Sequence, residues 1–254
     1  MKNIKGQSVC FFSSKGGVGK TTNLLNLAGI FEQLEKKVLI LDFDLYNGGI
    51  ATYLNRGKDC NLYHVVTDIL NGNYVSIDKY VTKVDNYIDV IGSLTDPRDA
   101  SKIDSKYVSF IINEAKLKYD VVLIDTNHSL DAVNLSILDS VDKILFFITN
   151  DCIDLKNIRS LLSILDNLGI DKYRILLNNS RDPFKDYFSF FEIRKIINHH
   201  INYTLSSDMF IRDITKMEMK GAIMTLDKSF SKEMPKDYKT FVTIATNILG
   251  DKDE

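Results

Sequence analysis

The sequence predicts an α/β fold in which a doubly wound, mostly parallel sheet is flanked by helices. Two observations indicate this class. Short apolar runs alternate along the chain with longer segments of helical periodicity, as in repeated βα units. Several of these runs, such as Val121-Val122-Leu123-Ile124, are apolar at every position, as expected for strands that helices cover on both faces.

The apolar runs and the periodic segments place the elements in order. Strands are expected at residues 8–12, 38–43, 87–91, 121–124, 143–148, 173–177 and 203–205. Helices are expected at residues 20–35, 62–70, 105–118, 131–138, 155–168, 188–199, 211–219 and 238–249. The chain shows no internal repeat and no linker-like segment, so residues 1–254 are expected to form a single domain.

Composition narrows the class of protein. With 254 residues, of which 44% are hydrophobic and 26% charged, the chain can bury a sizeable core. No apolar run approaches the ~18 residues that span a bilayer, and the polar start lacks a signal sequence, so a cytoplasmic protein is expected.

The net charge of −2 gives no general attraction to nucleic acid, which is not expected as a partner. The three cysteines lack metal-ligand spacing, which argues against iron–sulfur carriers and for reduced packing residues.

The segment between the first strand and the first helix has the composition of a phosphate-binding loop. It runs Ser13-Ser14-Lys15-Gly16-Gly17-Val18-Gly19-Lys20-Thr21-Thr22. Glycines let several backbone N–H groups converge on an anion, and the helix N-terminus adds positive potential. Lys20 would contact the terminal phosphates, and the Thr21 hydroxyl would bind a magnesium ion. Nucleotide contacts are therefore expected from Gly16, Gly17, Val18, Gly19, Lys20, Thr21 and Thr22.

This loop departs from the common G-x-x-x-x-G-K-[ST] pattern at two positions. Ser14 replaces the first glycine, and Lys15 adds a second lysine. The loop resembles the deviant Walker A motif of the MinD/ParA group of P-loop ATPases. The resemblance implies ATP and Mg²⁺ as ligands and a homodimer in the ATP state, in which the catalytic Lys15 reaches the partner subunit's phosphates. A glycine-rich turn with incidental lysines is the alternative interpretation.

Acidic residues end two of the predicted strands. Alternation along an extended chain points Asp42 and Asp44 to one side, at the edge where parallel sheets bind ligands. Asp125 ends a later strand, as expected for an acid that holds magnesium. The resemblance implies that Asp44 activates the attacking water, whereas Asp42, Asp125 and Thr21 support Mg²⁺. Capping of the following turn is the alternative role for Asp42 and Asp44.

The residues after Asp125 indicate a subgroup. The run Thr126-Asn127-His128-Ser129-Leu130 resembles the pilus-assembly ATPases called CpaE or TadZ. This resemblance implies a slowly hydrolysing switch that localises or regulates a Tad/Flp-type pilus or secretion machine, whose protein would be its partner. Those proteins carry an N-terminal receiver-like domain, whereas the loop here begins at Ser13, so the ATPase core alone is expected. A ParA-like DNA-partition ATPase and a MinD-like or flagellar-placement ATPase are the alternatives.

Three further polar residues are candidate nucleotide contacts. The resemblance implies that Asn178 recognises the adenine edge through its amide and that Asp208 flanks the purine. An ordinary loop hydrogen bond is the alternative role for Asn178. His128 is interpreted either as a γ-phosphate sensor or as an ordinary loop side chain.

Two apolar features lie in the last third of the chain. Phe241, Ile244, Ala245 and Ile248 form a helical stripe, which fits either a membrane foot or packing on the core. The acidic residues that follow disfavour anionic lipid, so packing is expected and direct membrane insertion is not. The aromatic run at residues 187–191 is interpreted as a partner patch or as a helix start that packs on the sheet, and packing is expected.

Overall fold

Eight strands in the described part of the chain form one sheet. The computed structural model describes residues 5–57, 60–181, 187–209 and 220–250. The strands are β1 (Gln7–Phe12), β2 (Val38–Phe43), β3 (Thr82–Lys83), β4 (Ile88–Ile91), β5 (Val121–Thr126), β6 (Lys143–Ile148), β7 (Tyr173–Asn178) and β8 (Tyr203–Leu205). Their order is β3-β4-β2-β5-β1-β6-β7-β8, and neighbouring strands are parallel except for β3 and β4. The predicted mostly parallel α/β fold is confirmed.

Helices cover both faces of this sheet. In the described residues they are α1 (Lys20–Gln33), α2 (Ile50–Tyr53), α3 (Leu62–Leu70), α4 (Val108–Lys116), α5 (Ala132–Ser140), α6 (Cys152–Asn167), α7 (Phe190–Ile197), α8 (Phe230–Glu233) and α9 (Pro235–Gly250). Short 3-10 helices occur at Ile77–Tyr80, Pro97–Lys102, Ser105–Tyr107, Asn179–Arg181, Ser207–Met209 and Met224–Leu226. The helix predicted at residues 211–219 lies outside the described residues.

Apolar side chains of the central strands alternate between the two faces. In β1, Val9 and Phe11 belong to the core that α1 and α9 cover. Cys10 belongs to the core on the other face, under α4, α5 and α6. Phe11 also stacks on Phe147 of β6, with ring centroids 5.5 Å apart. Because both faces are covered, the central strands need apolar residues at every position, which explains their continuous apolar runs.

Some element boundaries differ from the predictions because polar contacts decide them. Helix α6 begins at Cys152, earlier than predicted, because the Asp151 carboxylate accepts hydrogen bonds from two backbone amides of its first turn. Strand β5 continues to Thr126, whose hydroxyl donates to the Phe11 carbonyl at 2.7 Å. The two-residue strand β3 and the four-residue helix α2 are too short to leave a periodic pattern, and the sequence did not predict them.

The C-terminal apolar stripe is buried. Phe241, Ile244, Ala245 and Ile248 of α9 are each at most 4% exposed and belong to the core that also contains α1. The prediction that this helix packs on the core is therefore confirmed. In the described residues, no helix has both the length and the apolar character that crossing a bilayer requires.

The aromatic run before α7 is only partly packed. Phe188 is half-buried against the core, whereas Tyr187, Phe190 and Phe191 are 62%, 47% and 74% exposed. The expectation that this helix start packs on the sheet is wrong for these three rings. Their exposure leaves three aromatic faces open to a ligand or a partner.

All three cysteines carry free thiols. Cys10 is buried in β1 and Cys60 is half-buried, as expected for packing residues. Cys152 is exposed at the start of α6, so the packing prediction is wrong for this residue.

A carboxyl pair lies where the end of α1 approaches the turn between β3 and β4. The Asp85 carboxylate accepts hydrogen bonds from the Tyr87 and Ile88 amides, both at 2.8 Å. Glu32 of α1 lies beside it, with a buried Oε2 atom and its carboxyl group close enough to interact with the Asp85 carboxyl. Burial raises the pKa of Glu32 to about 7, and the neighbouring Asp85 charge adds to the rise.

This pair makes the stability of the fold depend on pH. The folded-state pKa of Glu32, about 7, exceeds the unfolded value of 4.5, so the folded chain binds the proton more tightly. The stabilisation is complete below the unfolded pKa and is lost as the pH rises through the folded value. Between about pH 5 and pH 8, the free energy of unfolding should fall by about 1 kcal/mol relative to Glu32→Gln, after allowance for solvent screening. Urea titrations at several pH values measure it, and parallel profiles of the two proteins would contradict the assignment.

Candidate nucleotide-binding site

The register of the parallel strands brings the predicted acidic residues to one edge. Asp42 at the end of β2 is the direct neighbour of Asp125 in β5, and Asp125 is the neighbour of Phe11 in β1. The phosphate loop follows β1 directly, so it crosses this edge before α1 begins. Asp42 and Asp125 are buried and Asp44 is half-buried. The structure therefore assembles the loop and the three carboxylates as the sequence predicted.

Glycine is required at the end of the phosphate loop for two reasons. Gly19 has a φ of 91°, in the left-handed region that side chains disfavour. A Cβ at this position would also lie 2.8 Å from the Asn178 Nδ2 atom. Gly19 is the N-cap of α1, and no side chain caps this helix. The amides of the first turn, which includes Thr21 and the half-buried Thr22, are thus available for an anion.

The Lys20 ammonium is held beneath the loop. Lys20 is 9% exposed, and its Nζ donates to the Ser13 hydroxyl at 2.8 Å. Burial lowers the pKa of Lys20, whereas the charges of Asp125 and Asp44 act in the opposite direction. The lysine is consequently a desolvated cation, which attracts a multiply charged anion, although two nearby carboxylates partly offset its charge.

The Thr21 and Asp125 side chains form a donor set for a hard cation. The Thr21 hydroxyl donates to Asp125 Oδ2 at 2.5 Å. The other oxygen, Asp125 Oδ1, is buried and has no hydrogen-bond partner among the described residues. Burial raises the pKa of Asp125 to about 6, although the Thr21 hydroxyl and the Lys20 charge act to lower it. A hydroxyl and a carboxylate oxygen are ligands that Mg²⁺ prefers, so these residues fit the ion.

Asp42 fixes the loop that follows β2. Its Oδ2 accepts from the Ile50 amide at 3.1 Å, and its Oδ1 accepts from the Asp44 amide at 3.3 Å. Burial raises the pKa of Asp42 to about 8, and the Asp125 charge contributes to the rise. Gly48 completes this turn, because a Cβ there would lie 2.3 Å from Ser93 Cβ. The structure thus gives Asp42 contacts with the backbone of this loop, and its predicted support of magnesium stays a prediction.

Asp44 is held at the same edge by a tight turn. Its Oδ1 accepts from the Asn47 amide at 3.1 Å. Its carbonyl accepts from the Gly48 amide and from the Ser93 hydroxyl, both at 2.7 Å. The half-buried carboxylate therefore faces the loop edge from a fixed backbone, as a residue that positions a water would require.

Ser14, which replaces the usual first glycine, connects the loop to α6. Its hydroxyl donates to Asp154 Oδ1 at 2.7 Å. The Asp154 carboxylate is fully buried, and its Oδ2 accepts from the amide and hydroxyl of Thr149 at 2.8 and 2.9 Å. Sequence reasoning missed Asp154, because only the departure at Ser14 hints at a side-chain partner.

The additional lysine of the loop is bound by its own subunit. Lys15 Nζ lies 3.0 Å from Asp151 Oδ2, and the two side chains are 48% and 33% exposed. The other Asp151 oxygen caps α6. Lys15 therefore lies at the surface of the site, next to the end of β6.

Asn178 supports the loop. Its Nδ2 donates to the Val18 carbonyl at 2.8 Å, and its Oδ1 accepts from the amide and hydroxyl of Ser180 at 3.1 and 2.7 Å. The Val18 contact uses one of the two Nδ2 hydrogens, and the recognition of adenine by this amide stays a prediction. Asp208 is exposed in the 3-10 helix Ser207–Met209, and its predicted purine contact is not tested by this geometry.

The residues after Asp125 form a fixed loop beside the phosphate loop. Asn127 Oδ1 accepts from the Ser129 amide and from Asn134 Nδ2, both at 2.7 Å. The exposed His128 ring lies next to Gly16, where an added Cβ would be 3.5 Å from its Nδ1. His128 is therefore close enough to the loop to contact a bound ligand.

A cavity of about 660 Å³ opens beside the phosphate loop. Among the described residues it is lined by Lys15, Gly16, Gly17, Val18, Thr149, Asn150, Asp151, Leu177, Asn178, Asn179, Tyr187, Phe188, Phe190, Ile193, Thr204, Ser206 and Ser207. Its walls thus combine the loop, the carboxyl ends of β6, β7 and β8, and the start of α7. This position at the end of parallel strands is where α/β sheets bind nucleotides.

Curated proteins of known function match this chain in sequence. The chromosome-partitioning ATPase Soj of Treponema pallidum is 30% identical over 58% of this chain and 58% of Soj. The septum site-determining protein MinD of Synechocystis is 25% identical over 66% of this chain and 63% of MinD. MinD of Bacillus subtilis is 20% identical over 76% of this chain and 72% of MinD. The chain thus covers less than two thirds of the length of the first two relatives.

Solved structures show the same fold over nearly the whole chain. A ParA family ATPase of Chlorobium tepidum has a TM-score of 0.78 and 23% identity, over 94% of this chain and 98% of that protein. MinD of Pyrococcus horikoshii, solved in complex with Mg-ADP, has a TM-score of 0.75 and 19% identity, over 98% and 99%.

A family model described as an AAA domain (AAA_31) matches residues 6–176. This match covers β1 to most of β7, including the phosphate loop, Asp42, Asp44 and Asp125. The chain therefore belongs to the MinD/ParA family of P-loop ATPases within the AAA domain family.

Proposed function

We propose that this chain is an ATP-dependent dimerisation switch that partitions or places a cargo inside the cell, with slow hydrolysis of ATP ending each cycle. The observation that carries the proposal is the contact between Thr21 and Asp125 beneath the phosphate loop, with Asp125 Oδ1 buried and unpaired among the described residues. A buried carboxylate oxygen without a partner is costly unless a ligand satisfies it.

Each nucleotide contact has a residue in place. The loop amides and the Lys20 ammonium bind the phosphates, and Thr21 and Asp125 hold the magnesium ion. When bound, Mg²⁺ supplies neutralisation of charge on the phosphate oxygens. Asp44 orients the attacking water from the turn that Asn47 and Gly48 fix. Hydrolysis is slow in this proposal, because the dimer is a switch whose lifetime in the ATP state carries the signal.

Lys15 is the residue that couples ATP to dimerisation. It is half exposed, and its ion pair with Asp151 lies at the surface, where such a pair contributes about 0.2–1 kcal/mol. A partner subunit's triphosphate offers Lys15 a stronger, charge-assisted contact than Asp151 does. The ion pair with Asp151 therefore competes with the contact across the dimer.

The relatives favour partition or division-site placement as the cellular role. Soj and MinD are partition and division-site proteins, and the buried stripe of α9 argues against use of this helix as a membrane foot. The exposed Arg194 and Lys195 of α7, next to His200, give the chain a local basic surface despite its net charge of −2. We infer that nonspecific DNA is the surface to which the dimer binds. Placement of a pilus machine is the second candidate, and it rests on the resemblance of residues 126–130 to the pilus-assembly ATPases.

Lys15→Ala should abolish the ATP-dependent dimer while leaving nucleotide binding by the monomer intact. Loss of one charge-assisted phosphate contact per subunit, about 1.5–3 kcal/mol, should weaken the dimer at least about tenfold. Analytical ultracentrifugation with ATP and Mg²⁺ measures the dimer, and calorimetry measures nucleotide binding. Lys156→Ala, which removes an exposed lysine of α6, is the matched control. A Lys15→Ala protein that dimerises with ATP as the wild type does would refute the proposed role of Lys15.

Asp151→Ser should strengthen the ATP-dependent dimer. Serine retains a side-chain cap for α6 but cannot form the ion pair with Lys15, so the competing contact disappears. The dimer dissociation constant should fall by up to about fivefold, the value of an exposed ion pair. Asp96→Ser is the control, because Asp96 also caps a helix and pairs with a basic residue, Arg98, away from the loop. An unchanged or weaker dimer would show that the Asp151 contact does not compete.

Replacement of Arg194 and Lys195 by glutamate should remove DNA binding without affecting the dimer. Both side chains are exposed on α7. Loss of each phosphate contact should reduce the slope of log binding constant against log salt concentration by about one. Retention of a random-sequence duplex with ATP is measured between low and moderate salt. Binding to lipid vesicles and capture of partners from the native host are measured in parallel. Capture of a pilus or secretion ATPase, with no DNA retention by the wild type, would favour the second candidate.

A further inference from the structure

The cavity beside the phosphate loop also has an aromatic part, which the proposed phosphate contacts do not use. Its volume, about 660 Å³, lies within the range of about 300–1,000 Å³ typical of small-molecule sites. The loop residues and the Lys15 cation line one part of it, and aromatic rings line another: Tyr187, Phe188 and Phe190. A ligand that fits both parts has a polyanionic group joined to a flat ring.

The aromatic part of the cavity is fixed to the sheet by one side chain. Asn150, which follows β6, donates from Nδ2 to the Phe188 carbonyl at 2.8 Å and accepts at Oδ1 from the Phe188 amide at 3.0 Å. Two hydrogen bonds to one residue hold the backbone as a neighbouring strand would. This contact sets the distance between the aromatic run and the loop, because the next residue, Asp151, binds Lys15.

The start of α7 is fixed independently. Ser189 and Glu192 form a capping box, in which the Ser189 amide donates to Glu192 Oε2 at 2.8 Å and the Glu192 amide donates to the Ser189 hydroxyl at 3.3 Å. Phe190 is the first residue of the helix that this box begins. Hydrogen bonds therefore hold the backbone next to both rings, although Tyr187 is 62% exposed and Phe190 is 47% exposed.

We propose that Tyr187 and Phe190 form a stacking wall for the base of the bound nucleotide, and that Asn150 is the positioning residue of this wall. The inference rests on the proposed function, since it assigns the nucleoside end of the same site. Asn178, the predicted adenine contact, donates one Nδ2 hydrogen to the Val18 carbonyl and accepts from Ser180 at Oδ1. Stacking on aromatic rings supplies affinity for the base without using that amide, and it tolerates different bases because each has a π-face.

The stacking wall should give nucleotides a higher affinity than phosphate chains that lack a base. Loss of a base–aromatic stack weakens binding by about 5- to 150-fold. ATP should therefore bind more tightly than inorganic tripolyphosphate to the wild type, and the aromatic rings should account for much of the difference. The phosphate contacts of Lys20 and the loop amides should be the same for both ligands.

The test compares ATP and tripolyphosphate on variants of the full chain, in the presence of Mg²⁺. Calorimetry should show that the double variant Tyr187→Ala, Phe190→Ala binds ATP at least about fivefold more weakly, with tripolyphosphate affinity within about twofold of the wild type. Asn150→Ala should also weaken the binding of ATP and leave the affinity for tripolyphosphate unchanged. This result would separate positioning of the wall from general damage to the loop. Phe191→Ala is the matched control, because Phe191 is 74% exposed and lies outside the lining of this cavity.

A fluorescent base reports stacking directly. The chain contains no tryptophan, so 2-aminopurine riboside triphosphate can be observed without interference. Its emission should be quenched on the wild type and on Tyr187→Phe, and released on the double variant. ATP affinity of the double variant equal to that of the wild type, or equal affinities of the wild type for ATP and tripolyphosphate, would overturn the stacking wall. A wild type that binds neither ligand would overturn the proposed function, and the inference with it.

Discussion

Burial of opposite charges beneath the phosphate loop is the constraint on which the site depends. Lys20, Asp125 and Asp42 are all removed from water by the sheet and the helices that cover it. Their desolvation penalty is incurred when the chain folds, because strand register fixes their positions. An arriving polyanion and cation therefore meet charges that are already oriented, and binding requires little further reorganisation.

Polar contacts from two directions hold the phosphate loop in shape, and a third fixes the loop beside it. Asp154 holds it through Ser14 on the side of α6, and Asn178 holds it through Val18 at the end of β7. Asp42 fixes the neighbouring loop after β2 through the Ile50 amide. Ser14 departs from the family pattern, and Asn178 and Asp42 were predicted to contact the ligand. All three support the backbone. This support explains how a loop with serine in place of glycine retains its form.

Local sequence was sufficient for most of the fold and for the centre of the site. Continuous apolar runs marked the central strands, and the glycine and lysine spacing marked the phosphate loop. What could not be predicted depends on contacts between residues distant in sequence. Ser14 and Asp154 are 140 residues apart, so no window of sequence shows that they meet. Asn178 illustrates the same limit, because its amide is equally suited to a base and to the Val18 carbonyl that the fold places beside it.

The adjacency of Asn150 and Asp151 has a mechanical consequence. Asn150 holds the aromatic run and Asp151 binds the loop lysine, so two adjacent residues anchor both sides of the cavity. In the proposed dimer, Lys15 would leave Asp151, whereas the aromatic run would keep its two hydrogen bonds to Asn150. A change at the subunit interface would thus take place one residue away from the contact that anchors the segment before α7.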